Sequence, residues 1–219
     1  MYQLVNKGIF KYLSYLAYGY FCYLLVVISL QYIPYNLDVA FLRIKQQYIH
    51  ITHWKIAFFV HVYTSVFLLI AGFTQFSTYV RSNVPAVHRI IGSIYVIIVV
   101  FISGPASLIM AFYANGYLSS RLAFTILASL WIIFTLKAWI SIFQRNFVNH
   151  QHFMIRSFSL TISAITLRIW KWLIVYLFHP NPMDLYMMVA WLGFVPNMLV
   201  AEWIIYYLAN GKSADTKKL

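Results

Sequence analysis

The sequence predicts an all-α integral membrane protein, a bundle of six transmembrane helices. Of the 219 residues, 63% are hydrophobic and only 9% are charged, whereas a soluble domain carries about 25% charged residues. Six apolar stretches have the length of about 20 residues that a helix needs to cross the hydrocarbon core. A chain with so little polar surface cannot cover a soluble globule, so composition alone favours the membrane class.

The six predicted segments follow one another without a separate soluble domain. In chain order they are Phe10–Ile33, Trp54–Thr78, Pro85–Tyr113, Leu118–Phe143, Asn149–Phe178 and Met183–Leu208. Pro85 suits the first turn of a helix, with Ser82 or Asn83 as its cap, and Asn149 suits the cap of the fifth segment. We expect residues 1–53 to form the first helix and a basic outer connector, residues 54–208 a five-helix core, and residues 209–219 a solvated cytoplasmic tail.

Lysine and arginine near the segment ends predict the orientation, because such residues concentrate on the cytoplasmic side. With the N-terminus inside, the cytoplasmic set is Lys7, Lys11, Arg81, Arg89, Arg145, Lys212, Lys217 and Lys218, against Arg43, Lys45, Lys55 and Arg121 outside. Both termini are therefore expected in the cytoplasm, with the chain in the inner (plasma) membrane and the lipid bilayer as its partner. The net charge of +12 does not indicate nucleic acid, because the basic residues are dispersed at segment ends.

Polar side chains within the apolar segments are the candidates for function, because intramembrane ionisable groups are costly and usually face a bundle interior or a cavity. At about 1.5 Å of rise per residue, seven share a depth toward the cytoplasm: Gln75, His88, Lys137, His152, Arg156, Asn197 and Glu202. His152 is preferred to His150 because it shares a helix face with the deeper Arg156. Glu202 needs a partner, which we expect to be Arg156 or Lys137. Such a pair is equally well explained as a structural clamp.

A second polar layer is predicted toward the outside. It holds His61 and Arg168, with Lys171 one turn further out. Lys171 has the length to reach the headgroups, whereas Arg168 requires a hydrated cavity, backbone carbonyls or an anionic ligand. A lone intramembrane histidine such as His61 is more often hydrogen-bonded in the interior than a ligand.

Four stretches together carry a family resemblance. They are HVYTSVFLLIAGFTQF (61–76), HRIIGSIYV (88–96), HQHFMIRSFSLTISAITLR (150–168) and AWLGFVPNMLVAE (190–202). The chain resembles, from about Trp54 to Glu202, the bacterial membrane proteins of domain-of-unknown-function family 2306 (DUF2306). The family pattern features the positions filled here by His61, Gln75, His88, Arg89, Gly92, His152, Met154, Arg156, Arg168, Asn197 and Glu202. The resemblance implies a multi-pass membrane protein and no established activity.

The first functional hypothesis is electron transfer through haem b. Two imidazoles from different helices can hold a haem iron within a bundle, and His88 and His152 are predicted at matching depth on segments three and five. Arg89, Arg156 or Lys137 would pair with the haem propionates. This arrangement resembles half of a cytochrome b561-type core. Only one haem is expected, because segment four has no histidine to match His61.

The alternative hypothesis is binding or transport of a small anionic or lipid-like ligand. Arginine and histidine outnumber acids inside the segments, which suits a phosphate or carboxylate. Gly104–Pro105 and Pro196–Asn197 are expected to interrupt segments three and six, although no inverted repeat is evident. A third hypothesis is an accessory subunit or a membrane enzyme of unassigned substrate. The sequence has no hydrolase triad or zinc pattern, and His88 and His152 are expected to bind metal only as haem-iron ligands.

Overall fold

The computed structural model describes residues 2–33 and 35–216, and these residues form helices joined by short turns, with no β-strand among them. The predicted all-α fold is therefore confirmed. The chain divides into two compact units, residues 1–50 and 51–219. In the first unit, α1 (Tyr2–Leu30) precedes a short 3₁₀ helix at Ala40–Lys45, in the segment predicted as a basic connector. The Nζ atom of Lys45 lies over the rings of Phe41 and Tyr48.

The second unit contains the other helices. They are α2 (Thr52–Gln75), α3 (Thr78–Asn83), α4 (Pro85–Ile97), a π-helical segment (Ile98–Ser103), α5 (Gly104–Phe112), α6 (Tyr117–Phe143), α7 (Phe147–Phe178), α8 (Pro182–Leu192) and α9 (Val195–Thr216). We call the end of this unit where α4 and α7 begin the His88 end, and the opposite end, where α2 begins, the His53 end.

Six helical stretches are long and apolar enough to cross a membrane. They are Tyr12–Leu30, Thr52–Gln75, Pro85–Phe112, Tyr117–Phe143, Phe147–Phe178 and Pro182–Asn210. Each overlaps one predicted segment, so the six predicted transmembrane helices are confirmed. The sixth helix differs at its end, because α9 continues to Thr216 rather than ending at Leu208. The last three residues of the predicted tail, 217–219, lie outside the described residues.

The helix caps differ from two of the expected assignments. The fifth span begins at Phe147, and the Asn146 side chain accepts a hydrogen bond from the Asn149 backbone N–H at 3.0 Å. Asn149 was predicted as the cap, but it already lies in the first turn, where its N–H needs an acceptor. The N-cap of α4 is Val84, not Ser82 or Asn83, and Pro85 occupies the first turn as predicted.

Spans three and six are both interrupted, as Gly104–Pro105 and Pro196–Asn197 predict. In span three the α-helix widens to a π-helical segment that ends at Ser103, directly before Gly104 and Pro105. In span six, α8 ends at Leu192 and α9 begins at Val195, with Pro196 in its first turn. Proline lacks an N–H and its ring crowds the preceding turn, so each interruption releases backbone groups that require other partners.

A buried network of hydroxyl groups joins three of the spans near their midpoints. The Tyr95 hydroxyl on α4 lies 2.9 Å from Ser157 Oγ and 2.7 Å from Thr161 Oγ1 on α7. From α6, Trp131 Nε1 donates to Thr161 Oγ1 at 3.0 Å, and Thr135 Oγ1 lies 2.6 Å from Ser157 Oγ. Polar groups without water must find partners within the protein, and these contacts fix the relative positions of α4, α6 and α7.

Replacing Tyr95 with phenylalanine is expected to destabilise the bundle by about 1 kcal/mol, because two hydroxyl groups on α7 lose a buried partner. Thermal unfolding in detergent measures the effect. The matched control is Tyr206→Phe on α9, where the side chain is 69% exposed, and its melting temperature should equal that of the unaltered protein. Equal melting temperatures for both variants would contradict the role given to the network.

The orientation stays a prediction from the distribution of basic residues. A reporter fused after Leu219 is expected to lie in the cytoplasm. A reporter inserted at Asn115, between α5 and α6, is expected to lie outside. The two fusions differ by three spans, so they must report opposite sides. The reverse pattern would overturn the predicted orientation, and the same side for both would overturn the helix count.

Candidate functional site

The side chain of Gln75 meets the backbone of His88 at the His88 end, where α2 ends and α4 begins. Gln75 Nε2 donates to the backbone carbonyl of His88 at 3.2 Å. A β-carbon on Gly92, one turn further along α4, would lie only 2.9 Å from Gln75 Oε1. The absence of a side chain at Gly92 therefore lets Gln75 pack against α4. Gln75 positions the start of α4 and its amide donor is already in use.

Imidazoles from two different helices lie at this end. His88 on α4 lies within electrostatic range of His150 on α7 and of Arg81 on α3. The Nδ1 atom of His150 lies 3.0 Å from the backbone carbonyl of Ala138 on α6. Because a carbonyl only accepts, this contact requires a proton on Nδ1 and leaves the lone pair of a neutral ring on Nε2.

The pairing of His88 with His152 stays a prediction. Of the two imidazoles on α7, His150 lies within electrostatic range of His88, whereas His152 lies within electrostatic range of Glu202 on α9. Residues two apart on a helix point about 200° apart, so the two rings belong to different sides of α7. Arg89 follows His88 on α4 and is exposed.

Arg156 and Glu202 form a two-pronged ion pair between α7 and α9. Arg156 Nε donates to Glu202 Oε1 at 2.5 Å, and Nη2 donates to Oε2 at 2.8 Å. The guanidinium also lies 5.4 Å from the ring centre of Phe153. Of the two partners predicted for Glu202, the structure selects Arg156. Lys137 instead places its Nζ 5.5 Å from the ring of Phe153, and its side chain is exposed.

Asn197 bridges the interruption of span six to α7. Its Nδ2 lies 3.1 Å from the carbonyl of Gly193, 3.1 Å from the carbonyl of Ser159 and 2.9 Å from Thr166 Oγ1. Thr166 itself donates to the Gly193 carbonyl at 2.6 Å. The carbonyl of Gly193, at the helix break, thus accepts hydrogen bonds from two side chains. Asn197, which was predicted to bind a ligand, therefore has a structural role.

The predicted outer pair, His61 and Arg168, lies toward the His53 end. His61 Nδ1 is 3.2 Å from the carbonyl of Ser103 and 3.0 Å from its hydroxyl. The imidazole also meets Trp131 edge to face, with ring centres 6.3 Å apart. Arg168 lies within electrostatic range of His61, and its Nη1 donates to the Ala164 carbonyl at 2.5 Å. His61 therefore joins α2 to the π-helical segment beside the hydroxyl network.

The surroundings of the two imidazoles at the His88 end differ. Among the described residues, no three His, Cys, Asp or Glu side chains cluster to hold a metal ion. His88 has a buried Nδ1 without a hydrogen-bond partner, and such an atom is costly unless something else occupies it. His150 presents a fixed tautomer of the kind that a carbonyl imposes on metal-binding histidines.

Sequence reasoning missed the hydroxyl network and the contact of His150 with Ala138. The network had a detectable pattern, since Ser157 and Thr161, like Trp131 and Thr135, are four residues apart and share one face of an apolar helix. His152 was preferred because it shares a helix face with Arg156. The packing that brings His150 to the Ala138 carbonyl is known only from the structure.

Comparison with known proteins gives one match. The family model described as a predicted membrane protein (DUF2306) matches residues 58–205, which is more than half of the chain. No curated protein and no solved structure matches the chain. The matched range contains the histidines, the ion pair and both helix interruptions described above.

Replacing Glu202 with glutamine is expected to destabilise the protein by about 0.2–1 kcal/mol, because Arg156 loses the charge that compensates it and the pair is only partly buried, with side-chain exposures of 20% and 49%. Thermal unfolding in detergent is the measurement, and the Arg156→Gln, Glu202→Gln double variant should recover part of the loss. Lys137→Gln is the control, since Lys137 is the partner that the structure does not select. A larger loss for Lys137→Gln than for Glu202→Gln would contradict the pairing.

Proposed function

We propose that this chain, which belongs to the DUF2306 family of predicted membrane proteins, holds haem b between His88 and His150 and transfers electrons in the membrane. The observation that carries the proposal is the pair of imidazoles on separate helices. One of these rings has an unpartnered buried nitrogen and the other has a fixed tautomer. A tautomer fixed through the second ring nitrogen is common among histidines that ligate a metal, and histidines on facing helices can hold a cofactor within a bundle.

The charges around the two histidines support the same assignment. Arg81 lies within electrostatic range of His88, and Arg89 is the next residue of α4. Guanidinium groups at this end would pair with the propionates of a haem, through charge-assisted hydrogen bonds. A haem bound by two protein ligands has no open coordination position, so the chemistry that it would supply is one-electron transfer.

An anion site centred on Arg156, the alternative from the sequence, has less support. Glu202 engages both Nε and Nη2 of Arg156, so a ligand anion would have to displace a carboxylate that is already well placed. Asn197 and Gln75, two other residues predicted to bind a ligand, donate to backbone carbonyls. The residues left for a cofactor at this end are the two imidazoles and the nearby arginines.

The test is the visible spectrum of the purified protein and its histidine variants, produced in cells that make haem. The unaltered protein should show a Soret band, with a sharp α-band after reduction. His88→Ala and His150→Ala should each remove the absorbance, because each removes an axial ligand. His152→Ala is the matched control, two residues from His150 on the same helix, and should keep the spectrum.

Melting temperatures of all three variants show whether they are folded when the spectra are recorded. A colourless unaltered protein would overturn the proposal. Loss of the pigment in His152→Ala with retention in His150→Ala would restore the pair predicted from the sequence and overturn the assignment made from the structure.

A further inference from the structure

An apolar groove of about 320 Å³ lies between α2 and the third span, at the His53 end. One wall includes Ala57 and Val60 of α2, and the other includes Pro105, Ala106 and Ile109 of α5. The lining residues recur at intervals of three and four along both helices, so the groove follows the helix axes. Its volume is at the lower end of the range of about 300–1,000 Å³ for small-molecule sites.

The third span packs against α2 along the groove. The π-helical segment and α5 both contact α2, and Ala57 and Ala106 are buried there. Small residues let two helices approach closely, while the larger side chains of Val60, Ile102 and Ile109 also line the groove.

Polar contacts border the groove at both ends. At one end the groove is lined by Val60 and Ile102. The residues that directly follow them, His61 and Ser103, are hydrogen-bonded to each other. At the other end, Nε2 of His53 lies 2.7 Å from the hydroxyl of Tyr113. His53 is the second residue of the second span, and Tyr113 directly follows the third, so this pair lies at the membrane interface, where amphipathic aromatic side chains are typical.

We propose that this groove binds one acyl chain of an anionic phospholipid, with the lipid phosphate near His53 and Tyr113. An apolar channel that ends at an interfacial pair of hydrogen-bonding groups suits an amphiphile with its chain in the groove. The phosphate is favoured by a nearby basic group. Arg121 Nε donates to the carbonyl of Ala114, next to Tyr113, which brings a guanidinium beside the polar end of the groove. Arginine and lysine are the usual partners of phosphate groups.

This site is independent of the haem proposal, because it lies at the opposite end of the spans and shares no residue with it. The probe is dioleoylphosphatidylglycerol, with dioleoylphosphatidylcholine as the zwitterionic comparison, each added to the delipidated protein in detergent. Native mass spectrometry counts the lipids that stay bound. The unaltered protein should retain one phosphatidylglycerol and at least fivefold less phosphatidylcholine.

Two tryptophan substitutions separate the groove from the rest of the lipid-facing surface. Ile109→Trp places a large ring in the groove and should lower phosphatidylglycerol retention at least fivefold. Ile126→Trp on α6 is the matched control, since Ile126 is 39% exposed and Ile109 is 36% exposed, and it should leave retention unchanged. Val60→Phe supplies a second groove variant if Ile109→Trp fails to fold, as judged by its melting temperature.

A third variant examines the polar end. Tyr113→Phe should reduce the preference for phosphatidylglycerol over phosphatidylcholine while the acyl chain still enters the groove. Equal retention of the two lipids by the unaltered protein would show a general lipid shell and overturn the proposal. Equal losses in Ile109→Trp and Ile126→Trp would overturn it as well, because the groove would then have no particular role in binding.

Discussion

The hydrocarbon interior of a membrane offers no water, and every polar group within the spans therefore depends on partners in the protein. This constraint explains why the spans are helical, since a helix satisfies its own backbone. It also explains the local hydroxyl contacts. Thr64 donates to the Val60 carbonyl at 2.6 Å, and Ser141 donates to that of Lys137 at 2.8 Å. Hydroxyl groups that meet across helices form the network around Tyr95, which holds three spans together.

The same constraint divides the polar side chains into those in structural use and those left for a ligand. Asn197 is occupied by the carbonyls at the break in span six, and Arg156 by the carboxylate of Glu202. Removal of either partner would leave a half-buried polar group without those hydrogen bonds. His88 differs, because one of its ring nitrogens is buried without a partner. This nitrogen, together with the electrostatic range between His88 and His150, is the basis of the haem proposal.

The two helix interruptions show how backbone irregularity is accommodated at membrane depth. Non-helical backbone is tolerated where it is buried in protein or lines a cavity, and π-helical turns are frequent at functional sites. At the first interruption, His61 bonds to the carbonyl and hydroxyl of Ser103. At the second, Thr166 and Asn197 hold the carbonyl of Gly193. The apolar groove lies beside the first interruption, between α2 and α5.

The sequence by itself determined the membrane class, the number of spans, their approximate ends and the two interruptions, because each follows from hydropathy and helix-breaking residues along the chain. Comparison of residue depths along the helices also left two candidate partners for Glu202. Only the tertiary structure chose Arg156, placed His150 within electrostatic range of His88, and brought Tyr95 to Ser157. Depth is measured along one helix and follows from residue number, whereas these choices depend on the rotation of each helix against its neighbours. That rotation is decided by packing between residues distant in the chain.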